Sequence, residues 1–244
     1  MKAPLDRFLA RNPFPNPWTD GLFYREKMRA VHRVAPDGPV RRVLEIGGGR
    51  SGLAALLYPD AEVVTVDLDP SLAGQGPSTS RPVAFACADA RRLPFEEGAF
   101  DLVTLLDVLE HVDDDAAAAR EAMRVARPGG WILVSTPNER WRYPWFGALK
   151  RFCPDEAELM AEWGHVRRGY REAELERLFG AAPARRAGFV NPLTAVYHDL
   201  AFSRFGRRTR KALYALTAPV AAAGYLMLGP SAAGTETAAA WRRP

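Results

Sequence analysis

Val43-Leu44-Glu45-Ile46-Gly47-Gly48-Gly49-Arg50-Ser51-Gly52-Leu53 is the stretch that decides the fold. Val43 to Ile46 reads as a short strand, Gly47 to Gly49 as a tight turn, and Ser51 to Leu57 as the start of a helix that Ser51 is placed to cap. Glycine has no Cβ, so such a turn lets the backbone approach a ligand closely, and the helix that follows offers free N–H groups. A strand, a glycine turn and a helix in that order open a nucleotide-binding α/β sheet.

Outward from this unit the alternation continues. Glu62 to Val66 forms a second strand ending at Asp67, and Val83 to Cys87 a third, joined by a Gly-, Ser- and Pro-rich crossover too short for a full helix. Phe100 to Leu106 is apolar almost throughout, as expected of a parallel strand buried on both faces. A helix through Ala116 to Ala126 follows, Arg127-Pro128-Gly129-Gly130 stops it, and Trp131 to Ser135 is a fifth strand. Arg185 to Val190 and Thr235 to Trp241 are expected as the sixth and seventh strands, with a helix at Glu172 to Leu178 between the fifth and sixth. Upstream, Gly21 to Val34 reads as an amphipathic helix. The fold class is therefore α/β: a Rossmann-like, doubly wound, mostly parallel seven-stranded sheet with helices on both faces and insertions after strand 5 and near the C-terminus.

The chain's 244 residues, 48% hydrophobic and 25% charged, suit one elaborated domain and exclude wholesale disorder and a multi-span membrane protein. Its expected parts are a lead and helix (1–40), a cofactor-binding core (41–136), a lid (137–170) and an apolar insertion (198–230). The first twenty residues hold Pro4, Pro13, Pro15 and Pro17 and no signal-peptide core, and of the two cysteines Cys87 is expected in a buried strand. A disulfide is not expected, and a cytoplasmic location is. The net charge of +4 is mild, so no nucleic-acid partner is expected.

Asp67, one strand away from the glycine turn, offers two acceptor oxygens to the hydroxyls of a ribose. The turn alone leaves two ligands open, because Gly47, Gly49 and Gly52 also satisfy the dinucleotide-binding spacing G-x-G-x-x-G. Four further features weigh in: Glu45 before the turn, Ala88-Asp89-Ala90 after the third strand, Leu106-Asp107-Val108-Leu109-Glu110-His111 after the fourth, and Pro128-Gly129-Gly130 before the fifth. As a set they resemble the class I S-adenosylmethionine-dependent methyltransferases over residues 41–138. Trp163-Gly164-His165-Val166-Arg167-Arg168-Gly169-Tyr170 adds a weaker similarity to quinone-type and other small-molecule members. The chain departs from the family at Ser51, where a third glycine is usual.

The resemblance implies S-adenosylmethionine as cofactor. Gly47, Gly48 and Gly49 would then shape its niche, Glu45 reach its amino-acid part, Asp67 its ribose and Leu68 one adenine face. Asp89, beside Ala90, would meet the adenine amino group, and the Leu106 backbone would lie near the methionine moiety. No metal ligands are assigned.

A sulfonium methyl is already activated, so the enzyme mainly aligns the acceptor and excludes water. A hydroxyl acceptor needs a base, for which His111 and His165 are the candidates, ahead of His32 and His198. Trp141, Tyr143, Trp145, Phe146, Phe152, Trp163 and Tyr170 crowd the segment after the fifth strand and would wall a pocket for a small-molecule or lipid-like acceptor. The basic cluster Arg204, Arg207, Arg208, Arg210 and Lys211 precedes the uncharged run Ala212 to Leu228, a layout suited to peripheral membrane contact through 203–229. That run falls short of the roughly 20 residues a span needs. Two other readings stand beside methyl transfer: a nicotinamide-dependent oxidoreductase and a non-catalytic S-adenosylmethionine-binding protein.

Overall fold

Successive residues of a strand point to opposite faces, and in the middle strands of this protein both faces are covered. Val43 and Leu102 therefore enter one core, while Leu44 and Val103 enter the other. In the computed structural model, which describes residues 1–77, 82–230 and 233–244, the chain runs α1 (Leu5–Leu9), α2 (Leu22–Val34), β1 (Arg42–Ile46), α3 (Leu53–Leu57), β2 (Glu62–Asp67) and β3 (Ala84–Cys87). It continues with β4 (Phe100–Leu106), α4 (Asp115–Val125), β5 (Ala126–Pro137), α5 (Glu156–Trp163) and α6 (Glu172–Phe179). The last elements are β6 (Arg185–Phe189), α7 (Ala195–Ala201), α8 (Arg207–Ala223) and β7 (Glu236–Arg242).

The seven strands lie in the order β3-β2-β1-β4-β5-β7-β6. β1 pairs in parallel with β2 and β4, β2 with β3, and β4 with β5, whereas β7 runs antiparallel between β5 and β6. The order reverses between β1 and β4, and a crevice at the carboxyl ends of the strands is where such sheets bind ligands. Helices α1, α2 and α3 cover one face, α4 and α6 the other. Phe179 of α6 stacks on Trp241 of β7 with ring centroids 4.4 Å apart, which fixes the last strand in the sheet.

Several local expectations are corrected. Ser51 does not cap α3: its Oγ donates to the Gly48 carbonyl at 3.1 Å, the cap position is Gly52 at φ +48°, and the Glu45 carboxylate accepts the Ala54 N–H at 2.8 Å. A side chain from the preceding strand thus satisfies a helix-end donor that sequence logic gave to a neighbour. Arg127 to Gly130 does end α4, but as part of β5, which starts at Ala126 and shifts register against β4 before Trp131. Cys87 is exposed, because β3 is an edge strand; both cysteines are free.

The crossover between β2 and β3 contains a 3-10 turn at Pro70–Leu72, capped by Asp69 accepting the Ser71 N–H at 2.8 Å. Its Ser-rich part, 78–81, lies outside the described residues. The region after β5, loosely patterned in sequence, holds a 3-10 helix at Gly147–Phe152 and α5. α8 runs into a π-helical stretch at Gly224–Leu228, giving a 22-residue helix, Arg207–Leu228, long and apolar enough to cross a membrane by length and composition. The sequence estimate fell short because the basic turn Arg207 to Lys211 is helical too.

Candidate active site

At the carboxyl ends of β1 to β4 a cleft of about 440 Å³ is lined by Gly47, Asp67, Leu68, Asp89, Ala90, Val108 and His111, among others. Gly47 sits at φ +65°, and a Cβ there would meet Val108 Cγ2 at 2.5 Å, so only glycine lets the loop after β4 close on the turn. Asp67 accepts the Asp69 N–H through Oδ1 at 3.1 Å, which holds the carboxylate at the end of β2. Leu68 is 69% exposed, an apolar side chain left beside the cleft for a flat partner. Asp89 is gripped by the Arg91 guanidinium at 2.7 and 3.0 Å, and that hydrogen-bonded partner holds its carboxyl below the usual carboxylate range. A carboxylate still has lone pairs beyond those two bonds. A cleft of this size, with a carboxylate for hydroxyls and an apolar rim, fits an adenosine-containing ligand.

Four of the residues expected at the cofactor are not among those that line this cleft. Glu45 is 1% exposed and lies beneath the turn, bonded to Ala54 N–H; burial pushes its carboxyl up to about 7. Gly48 is buried directly over it, and a Cβ there would meet Glu45 Cδ at 2.8 Å. Gly49 lines a separate cavity of about 120 Å³ with Thr65 and Leu72. Leu106 turns its side chain into the core, and its expected contact is one of the backbone.

The residue that the sequence reading passed over is Asp107. It stands at φ +57°, a left-handed conformation uncommon outside glycine, and such outliers gather at functional sites. Its carboxylate accepts from Ser135 Oγ at 2.6 Å and from Lys27 Nζ at 2.5 Å. Burial opposes both charges, but their mutual attraction prevails, holding Asp107 below and Lys27 above their ordinary values. Lys27 had a signal in the sequence: it falls on the buried stripe of α2 with Met28, Val31 and Val34, where a charge requires a partner.

Asp107 and His111 also line a second cavity, of about 340 Å³. Its walls are largely aromatic: Phe23 and Tyr24 from α2, Trp141, Trp163, Phe189 and Phe202. Of the seven aromatics expected to form such a wall, only Trp141 and Trp163 do; Tyr143 backs His198, Phe152 packs on Phe205, and Tyr170 lines a different pocket. Lys27, Glu110, Pro137, His165, His198 and Glu236 complete the lining. Burial and the nearby Asp107 charge raise the Glu110 carboxyl well above its ordinary value and push Glu236 up to about 8. Burial lowers His198 to about 4; it packs against Phe23 and Phe202 with ring centroids 5.5 and 5.1 Å away. His32, whose Nε2 lies 2.9 Å from the Ala3 carbonyl, is outside both cavities.

The segment after α5 brings the two candidate bases together. Gly164, at φ +72°, ends the helix; His165 N–H then bonds the Met160 carbonyl and Val166 N–H the Glu110 carbonyl, both at 2.9 Å. Arg167 lies over the Tyr170 ring at 3.8 Å and pairs with Asp115 at 2.7 Å and Glu174 at 2.9 Å, clasping the segment to α4 and α6. The His165 and His111 rings consequently meet edge to face, 4.6 Å between centroids. Burial, reinforced by the neighbouring His111, lowers His165 to about 4, so it is neutral at physiological pH.

Comparison with known proteins agrees with this architecture. Residues 44–134 match the family described as a methyltransferase domain. The chain is 38% identical over 120 residues to a demethylmenaquinone methyltransferase of Beutenbergia cavernae, covering 47% of this chain and 48% of that protein. It is 37% identical over 135 residues to the ubiquinone/menaquinone biosynthesis C-methyltransferase of Ectopseudomonas mendocina, covering 51% and 53%. The chain thus spans about half the length of the curated relatives it matches. Among solved structures, the N-methyltransferase NodS from Bradyrhizobium japonicum in complex with S-adenosyl-L-homocysteine superposes with a TM-score of 0.54 at 18% identity, covering 98% of this chain and 96% of that one, which speaks for the fold. Neither the nicotinamide-dependent nor the non-catalytic reading finds support in these matches. Over residues 44–134 the chain is thus similar to S-adenosylmethionine-dependent methyltransferase domains, carried on a Rossmann-like α/β sheet.

Proposed function

We propose that this protein transfers the methyl group of S-adenosylmethionine to a ring-hydroxylated, quinone-like small molecule, at carbon or oxygen. The observation that carries the reading is the junction of two cavities at Asp107 and His111, one suited to an adenosyl group and one lined by aromatic side chains. The cofactor supplies an activated methyl; Asp67, Leu68 and the Gly47 turn hold it, while Glu45 and Gly48 support the turn from beneath. Phe23, Trp141 and Trp163 clamp the acceptor ring and exclude water, which strengthens the polar contacts within. His111 and His165 handle the proton of the acceptor hydroxyl, with Lys27 stabilising the oxygen's developing charge. The names of the quinone-type relatives favour this acceptor class. The test is incubation with methyl-labelled cofactor and separate aqueous and lipid extracts, followed by mass spectrometry of the labelled product. Label in an aromatic lipid fraction is expected, and label confined to water-soluble amines would refute the acceptor class.

We also propose that the Arg207–Leu228 helix rests on an anionic membrane surface, from which a lipid-like acceptor would enter. Tyr214, Ala221 and Tyr225 pack inward against Leu22, Tyr197 and Leu200, while Leu216, Leu226 and Met227 are 76%, 73% and 82% exposed. Strands β6 and β7, on either side of the helix, pair with each other in one sheet, so a helix lying flat suits the connectivity better than one that crosses. Each large apolar side chain buried in lipid contributes roughly 1.5–3 kcal/mol. The double variant Leu226→Glu, Met227→Glu should therefore lose at least about tenfold in co-sedimentation with phosphatidylglycerol-containing vesicles. Unchanged co-sedimentation would remove the membrane from the account.

A further inference from the structure

Glu110 and His111 end a 3-10 turn after β4, and His165 lies far along the chain, yet the clasp onto Asp115 and Glu174 brings all three to one spot. One carboxylate oxygen of Glu110 and one nitrogen from each ring all lie within 4.8 Å of one another. Two imidazoles and a carboxylate at tetrahedral angles around a zinc-sized ion sit about 3.4 Å apart for bonds of about 2.1 Å, so modest side-chain adjustment closes the set. Two of the three ligands are already oriented by hydrogen bonds. Thr136 Oγ donates to Glu110 Oε2 at 3.1 Å, in a residue only 1% exposed. His111 Nδ1 lies 3.2 Å from the Gly164 carbonyl, the outer partner that commonly fixes a ligating ring and leaves its other nitrogen's lone pair available. His165 Nδ1 is buried and has no hydrogen-bond partner, a costly state for a ring nitrogen unless something accepts its lone pair.

Charge points the same way. Asp107, Glu110 and Glu236 line this cavity, and among the described lining residues Lys27 is the one lysine or arginine that faces them. It is engaged with Asp107 at 2.5 Å. With Lys27 so engaged, no lysine or arginine among these lining residues competes with a cation for the Glu110 carboxylate.

We propose that Glu110, His111 and His165 form a binding site for one divalent first-row transition ion, with zinc, cobalt and iron better suited than magnesium to a nitrogen-rich set. Three protein ligands leave coordination positions open toward the aromatic cavity, for water or for a hydroxyl or carbonyl oxygen of the acceptor. The ion site stands independently of methyl transfer; the acceptor as its oxygen ligand rests on that reading. With the ion in place, the two histidines act as ligands rather than bases. The acceptor hydroxyl, bound through oxygen, gives its proton to water and remains on the ion as an oxyanion.

Equilibrium dialysis of the metal-stripped full chain against zinc chloride, with metal content read by mass spectrometry, should find one ion per chain. His111→Ala, His165→Ala and Glu110→Gln should each weaken it by more than about tenfold, while His32→Gln leaves it unchanged. Cobalt substitution of the unaltered protein, read by its visible absorption, gives the ligand set without relying on any variant's folding. No retained ion, or binding equally tight in both histidine variants, overturns the site. Calorimetry with S-adenosylhomocysteine on the same samples separates the two readings: cofactor-product binding without metal binding sinks this inference alone, and metal binding without it sinks the methyltransferase reading alone.

Discussion

Asp67→Ala is expected to weaken S-adenosylhomocysteine binding by about 10²–10⁴-fold and to abolish labelling at ordinary cofactor concentrations. A ribose presents two hydroxyl donors, and hydrogen bonds to a charged acceptor contribute about 1.5–3 kcal/mol each, so losing both costs about 3–6 kcal/mol of affinity. Asp67 stands at the end of β2 on the rim of the cleft, half-buried, its carboxylate accepting the Asp69 N–H. Its removal should leave the melting temperature nearly unchanged, because that loop contact is exposed. Isothermal calorimetry reads the first effect and calorimetric melting the second. Retention of wild-type affinity would place the cofactor elsewhere, and with it the entire account of the cleft.

Glu45→Gln is expected to stabilise the protein at pH 8. Burial raises this carboxyl from 4.5 to about 7, so between those values the folded state binds a proton that the unfolded state has released. Stability contributed by this group is complete below pH 4.5 and is lost progressively as pH climbs to about 7. The shift corresponds to about 3 kcal/mol at pH 8, or about 6–12 °C in melting temperature for a chain of this size. Glutamine keeps an oxygen for the Ala54 N–H, can donate toward Thr65 Oγ, and carries no charge to desolvate. The variant and the parent should therefore melt alike near pH 4.5 and diverge above it. A variant equal to or less stable than the parent at pH 8 would refute the buried-acid reading. Should it gain stability yet bind S-adenosylhomocysteine normally, Glu45 is a support for α3 rather than a contact for the amino-acid moiety. Burial also lifts Glu26 to about 7, with Thr194 and Asn191 as its hydrogen-bond donors, so some alkaline loss of stability should persist in the variant.

The residues that could be read in one dimension are those whose role is set by near neighbours. The glycine turn, the acid at the end of β2 and the apolar run of β4 follow from local sterics and from burial on both faces, and the structure has them where the sequence put them. His111 and His165 could be singled out by side-chain chemistry, but their contact depends on Arg167 gripping Asp115 and Glu174 from another part of the chain. Ser51 and Glu45 exchange roles for a similar reason: a cap is judged from adjacent residues, while a carboxylate arriving from the strand below is invisible to that reasoning.

By itself, the order of residues determined a doubly wound sheet, a glycine-lined turn with an acid one strand away, and the adenosine-containing class of ligand those features suit. Periodicity, glycine placement and turn chemistry act over a few residues, so they survive in a linear string. Only the tertiary structure decided which side chains share a cavity. Lys27 of α2 meets Asp107 after β4, Glu236 of β7 joins the same wall, and Glu110 converges with two histidines. Coulomb attraction and burial depend on distance through space, and a fold that carries β7 back between β5 and β6 sets those distances without leaving a mark in the spacing of the residues it unites.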